Sequence, residues 1–194
     1  MTYSNKICVI GNASVGKTSL INQYTRHEFS STEKATVGAN FVPFRYVKET
    51  ETINIAIWDT AGQEKYRSMV AMYYRGSVGA MIIYDITNKE SFTDVSNWLE
   101  ELRRSEPSVV CILVGNKTDS EHAREVTEEE ASTFAKENGL FFVECSAKND
   151  YRLFSFLVFC LKFFLVKFFS NIEVLCKFLF NYFDYNFVRY DSFC

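Results

Sequence analysis

The sequence has no Cys-x-x-Cys pair, and neither of its two histidines, His27 and His122, stands at metal-ligand spacing from its six cysteines. That excludes the common zinc sites. The histidines lie in polar surroundings and are expected on the surface. There is no basic excess: the formal net charge is -3 and the pI is ≈ 5.5, which argues against a nucleic-acid-binding surface. Position 2 is Thr2, not the glycine that N-myristoylation requires. The first apolar run, Ile7 to Ile10, is too short for a signal peptide, so no secretory leader is expected. Residues 151–194 contain no Gly, Pro, Ala or Thr at all.

With 194 residues, the chain has the size of one domain with a real core. Cys8, Cys111 and Cys145 sit inside apolar runs and read as small core residues of a reducing cytosol. The most informative stretch is Gly11-Asn12-Ala13-Ser14-Val15-Gly16-Lys17-Thr18, which fits G-x-x-x-x-G-K-[ST]. A strand-like run precedes it and a helical pattern, from Ser19 onward, follows. Glycines let successive N–H groups converge on a phosphate, and the helix N-terminus adds partial positive charge. Lys17 would reach the outer phosphates, and Thr18 would offer its hydroxyl to Mg²⁺.

Along the chain, residues 5–10 read as a buried strand and 17–26 as a helix. A polar loop spans 29–40, and 41–46 reads as an edge strand because Pro43 cannot donate to a ladder. Ile53, Ile55 and Ile57 alternate with polar or small residues in a third strand. Gly79 to Tyr84 and Val109 to Val114 read as buried strands, and Leu140 to Val143 as the last. A helix is expected from Ser91, burying Phe92, Val95, Trp98, Leu99 and Leu102 on one face. Thr127 and Glu130 form a capping box for another, with Ala131, Phe134 and Ala135 inward and Gly139 at its end. Strands alternating with helices predict an α/β fold with a mostly parallel, six-stranded sheet flanked by helices. Each polar motif follows a strand, so the motifs should converge at one sheet edge.

Asp59, at a strand end, suits Mg²⁺ held through water. Asp119, in Asn116-Lys117-Thr118-Asp119, can accept the two N–H groups that guanine presents and adenine lacks. Asn116 would brace the loops, and Ser146-Ala147-Lys148 would add a backbone N–H for the guanine oxygen.

In this order and spacing these motifs resemble the Ras-superfamily small GTPases, a P-loop NTPase fold, and within them the Rab family. Rab-like stretches include Val37 to Phe41, Trp58 to Ser68, Tyr73 to Gly76 and Tyr84 to Thr87. Gly38 to Phe41 and Met72 to Gly76 look nearest the early-endosomal branch. The resemblance implies GTP or GDP held by Ala13, Ser14, Val15, Gly16, Lys17, Thr18, Ser19, Phe29, Thr36, Gly62, Asn116, Lys117, Asp119, Ser146, Ala147 and Lys148. It implies Mg²⁺ at Thr18, Thr36 and Asp59, and Gln63 as the catalytic residue orienting water. Phe41, Trp58 and Tyr73 match an aromatic triad on which effectors dock beside two switch loops. A GTPase-activating protein and an exchange factor are implied, as is a monomer, cytoplasmic and at endosomal or vesicle membranes. Ala13 takes a glycine position of the Ras pattern; such a small residue is common in Rabs and is not read as inactivating.

The resemblance covers residues 5–149, giving a G domain over 1–150 without a recognisable last helix and an atypical Phe-rich tail over 151–194. Three readings of the tail stand side by side. It serves as the last helix; it inserts in a membrane, with a core near the short limit for a span; or it is translated non-coding sequence. The last reading carries an alternative function, a non-functional or binding-only product. Cys194 alone is neither a CaaX box nor a two-cysteine ending, which leaves prenylation open.

Overall fold

The computed structural model describes residues 5–48, 51–62 and 72–149. Gln63 and the whole 151–194 tail lie outside the described residues.

The described strands are β1 (Asn5–Ile10), β2 (Ala39–Lys48), β3 (Glu51–Thr60), β4 (Gly79–Asp85), β5 (Val110–Asn116) and β6 (Phe141–Glu144). They form one sheet in the order β2-β3-β1-β4-β5-β6. Only β2 pairs antiparallel, with β3, and it occupies an edge. Pro43 therefore sits where a missing N–H costs least. β2 starts earlier than the sequence suggests: Ala39 and Asn40, read as loop, pair with Thr60 and Asp59. The end of β3 supplies a ladder partner that local polarity does not reveal.

The described helices include α1 (Lys17–Arg26), α2 (Lys89–Thr93), α3 (Val95–Ser105) and α4 (Glu128–Glu137), with a 3-10 helix over Thr118–Ala123. The single helix expected from Ser91 is thus two, beginning at Lys89 and parted at Asp94. The Asn88 side chain caps α2 by accepting from the Ser91 N–H at 2.9 Å. At α4 the Thr127 hydroxyl accepts the Glu130 N–H at 3.1 Å. The other half of the expected box is replaced: the Glu130 carboxylate takes the Lys89 ammonium.

Because side chains alternate along a strand, each strand feeds two core layers. Ile7, Val9, Ile55, Ile57, Met81 and Ile83 face α1, where Leu20 and Ile21 meet them. Cys8, Ile10, Ala80, Ile82 and Tyr84 face the opposite way, onto Trp98, Leu99, Leu102 and Ala131. Each such aliphatic side chain contributes about 1.5–3 kcal/mol on full burial. Phe134 is only partly buried, but its ring meets Phe92 edge-on at 5.5 Å.

β1 lies between β3 and β4, so consecutive connections leave it in opposite directions. This reversal opens a crevice beyond its carboxyl end, the usual ligand position in such sheets.

Candidate nucleotide-binding site

The loop after β1 wraps over that crevice. Gly16 has φ +92°, and a Cβ there would lie 2.3 Å from Asn116 Nδ2. Only glycine allows this turn and this approach together. The approach matters because the Asn116 carboxamide joins two loops. Its Nδ2 donates to the Val15 carbonyl at 2.8 Å, and its Oδ1 accepts the Ala147 N–H at 3.2 Å.

Lys17 is buried, with Nζ donating to the carbonyls of Gly11 at 2.8 Å and Asn12 at 2.6 Å. Burial lowers its ammonium to about 8, with the nearby Asp59 charge opposing. Burial likewise raises the Asp59 carboxyl, opposed by its bond from Thr18 and by the Lys17 charge. Thr18 Oγ1 donates to Asp59 Oδ2 at 2.7 Å and lies 2.8 Å from Thr36 Oγ1. Asp59 Oδ1 is buried without a hydrogen-bond partner. One carboxylate, with one of its oxygens unsatisfied, and two hydroxyls form a hard donor set, the kind that suits Mg²⁺ alongside phosphate and water. Among the described residues no cluster of three or more His, Cys, Asp or Glu competes as a metal site.

At the other end of the crevice, Asp119 Oδ1 accepts the Ser146 hydroxyl at 2.7 Å. Ser146 Oγ in turn accepts the N–H groups of Lys148 and Asn149, at 3.2 and 3.1 Å. Lys117 adopts φ +72° and pairs through Nζ with Asp85 Oδ2 at 2.5 Å. One cleft of about 420 Å³ runs between these two ends. Ala13, Ser14, Gly16, Lys17, Thr18, Ser19, Phe29, Thr36, Gly62, Asn116, Lys117, Asp119, Ala147 and Lys148 line it.

Val15 and Ser146 do not line the cleft; they are buried behind its wall, where they hold Asn116 and Asp119. Ser30, Ser31, Glu33, Lys34 and Ala35 do line it, although sequence reasoning named none of them as site residues. They are exposed loop residues, all polar but Ala35, and their only signal is adjacency to Phe29 and Thr36.

The family model described as "Ras family" matches residues 6–162. The chain belongs to the Ras family. The match runs past Asp150, where sequence reasoning ended the G domain. The chain is 49% identical over 148 residues to "GTP-binding protein ypt3" of Schizosaccharomyces pombe, covering 76% of this chain and 69% of the relative. It is 48% identical to "Ras-related protein Rab-11C" of Dictyostelium discoideum, over 76% of this chain and 66% of the relative. It is 47% identical to "Ras-related protein RABA4b" of Arabidopsis thaliana, with the same coverages. The chain thus spans about two thirds of the length of these relatives. Among Ras-family proteins it is a Rab-like GTPase, a hydrolase of GTP that binds GTP and GDP with Mg²⁺. A non-functional or binding-only product is the less favoured reading.

Phe41 on β2, Trp58 on β3 and Tyr73, the three aromatics singled out in the sequence, lie together in the fold. Phe41 meets Trp58 edge-on at 5.6 Å, and Trp58 lies 5.3 Å from Tyr73. Phe41 remains 44% exposed, so it is available for contact. Among the described residues no helix is long and apolar enough to cross a membrane.

Proposed function

We propose that this Rab-like GTPase is a two-state switch of vesicle traffic whose GTP form recruits effectors. One observation carries the reading: the Gly11–Thr18 loop, the Thr18–Asp59–Thr36 cluster and the Asn116–Asp119 and Ser146–Lys148 loops border one cleft. Lys17 and the loop N–H groups bind the phosphates, and Asp119 reads the guanine edge. Phe29 lies against the base. Thr36 and Gly62 hold the outermost phosphate and thereby order the two switch loops. Gln63 orients the attacking water. Mg²⁺ held by Thr18, Thr36 and Asp59 would neutralise charge on the phosphate oxygens.

No arginine is among the described residues that line the cleft. We take this as support for hydrolysis assisted by a GTPase-activating protein, with an exchange factor resetting the switch by releasing GDP so that GTP can bind. Effectors dock on Phe41, Trp58 and Tyr73, and the chain acts as a monomer. Gly38 to Phe41 and Met72 to Gly76 support the early-endosomal branch, at endosomal or vesicle membranes.

Nucleotide competition tests the reading. GTP and GDP should displace a bound fluorescent guanine nucleotide, and ATP should not. Asp119→Asn should shift preference from GTP toward xanthosine triphosphate by at least about tenfold. Unchanged selectivity would sink the guanine assignment. Gln63→Leu should slow hydrolysis with binding retained, and an unaltered rate counts against its role.

A further inference from the structure

Asn12 is one of the variable positions of the phosphate-loop motif, yet its side chain is held from two sides. Its Oδ1 accepts the indole N–H of Trp98 at 2.7 Å. Its Nδ2 donates to Asp94 Oδ2 at 2.6 Å. An indole N–H only donates and a carboxylate only accepts, so the carboxamide has one orientation. Both partners are rigidly placed. Trp98 is 2% exposed within the α3 core layer. Asp94 stands at the junction of α2 and α3, and its carbonyl accepts the Trp98 N–H at 3.1 Å.

The backbone of the same residue faces the phosphate site. The Asn12 carbonyl accepts from Lys17 Nζ at 2.6 Å. A Cβ on Gly62 would come within 2.3 Å of Asn12 C and O, so the Gly62 backbone passes directly against it. Asn12 is therefore a joint between α3, Lys17 and the end of the Asp59–Gly62 segment.

We infer that Asn12 is a positioning residue: its carboxamide, latched to Trp98 and Asp94, fixes the first turn of the phosphate loop and so the place of Lys17 against the outer phosphates. The inference rests on the nucleotide reading given above. Asparagine suits the position because it accepts and donates at once at short reach. Aspartate would set a second carboxylate against Asp94, and alanine would remove the oxygen that accepts the Trp98 indole N–H.

The test is a double-mutant cycle of Asn12→Ala and Trp98→Phe, read as GDP release from the full chain with Mg²⁺. Asn12→Ala, which removes both bonds, should speed release by about tenfold, Trp98→Phe, which leaves the Asp94 bond, by less, and the double change should be no faster than Asn12→Ala alone. Affinity for GMP, which lacks the outer phosphates, should stay within about twofold, because the base pocket is untouched. Multiplying single effects, or an equal loss for GMP and GDP, overturns the latch. Asn12→Ala alters no core side chain, so its GMP-to-GDP comparison decides the matter even where Trp98→Phe loosens the core. If the unaltered chain fails to retain GDP, the nucleotide reading itself has failed, an outcome distinct from failure of the latch.

Discussion

Thr18 and Asp59, 41 residues apart, are joined by a 2.7 Å hydrogen bond that ties the first turn of α1 to the end of β3. The bond uses one carboxylate oxygen and leaves the other, Oδ1, buried without a partner. Such an oxygen costs stability in isolation and becomes favourable beside a cation. Two core strands and the phosphate loop thus deliver a charged oxygen to the place proposed for Mg²⁺.

Asp59→Ala removes that oxygen pair. The Mg²⁺ concentration needed for half-maximal GDP retention should rise by about 10–100-fold. Release of a fluorescent GDP across a Mg²⁺ titration measures it, and an unshifted midpoint would contradict the assignment.

Lys17 supplies a pH prediction. Burial lowers its ammonium to about 8 in the folded protein, against an ordinary value of 10.5. Below the lower value both states hold the proton. Between the two, the unfolded chain binds the proton that the folded chain has released. Stability of the nucleotide-free protein should therefore rise with pH from about 8 to about 10.5. Urea midpoints compared with those of Lys17→Met isolate the effect, and equal slopes in the two proteins would refute it. Bound GDP should flatten the slope, since phosphate charge favours the ammonium.

Arg124 holds the segment after the Asn116–Asp119 loop against β6. Its Nη1 and Nη2 donate to Glu144 Oε1 and Oε2, both at 2.8 Å, while Nε and Nη2 reach Glu121 at 2.7 Å. Glu144 is buried, so Arg124→Met should cost about 3 kcal/mol by stranding its charge. Adding Glu144→Gln should recover part of the loss. Denaturation at fixed GDP and Mg²⁺ would show it, and fully additive losses would argue against a coupled pair.

The buried thiols should be inert in the native state. Burial pushes Cys8 up to about 12 and Cys111 up to about 11, and raises Cys145 further. At neutral pH almost no thiolate forms, so alkylation mapped by mass should spare all three until the chain unfolds. Rapid native labelling of any of them would contradict the packed sheet.

Much of the architecture was legible in the sequence. Gly79 to Asp85 is buried at every position, and a continuous apolar run announces such a strand. The stripe Val95, Trp98, Leu99, Leu102 is buried as its spacing predicts. The break at Asp94 escaped notice because the apolar period continues through it. The added cleft residues Ser30, Ser31, Glu33, Lys34 and Ala35 escaped because a polar surface loop looks alike whether or not it borders a ligand site.

Local pattern and side-chain chemistry determined the strands, the helices, the phosphate-loop motif and the carboxylate suited to guanine, because these depend on neighbours a few residues away. The path of the chain decided which of them meet. Asn12 finds Trp98 from 86 residues away, and Asn116 finds Val15 from 101. No local preference encodes such pairings; they arise when the sheet order brings strand ends to one edge and close packing leaves each polar group only a few partners within reach.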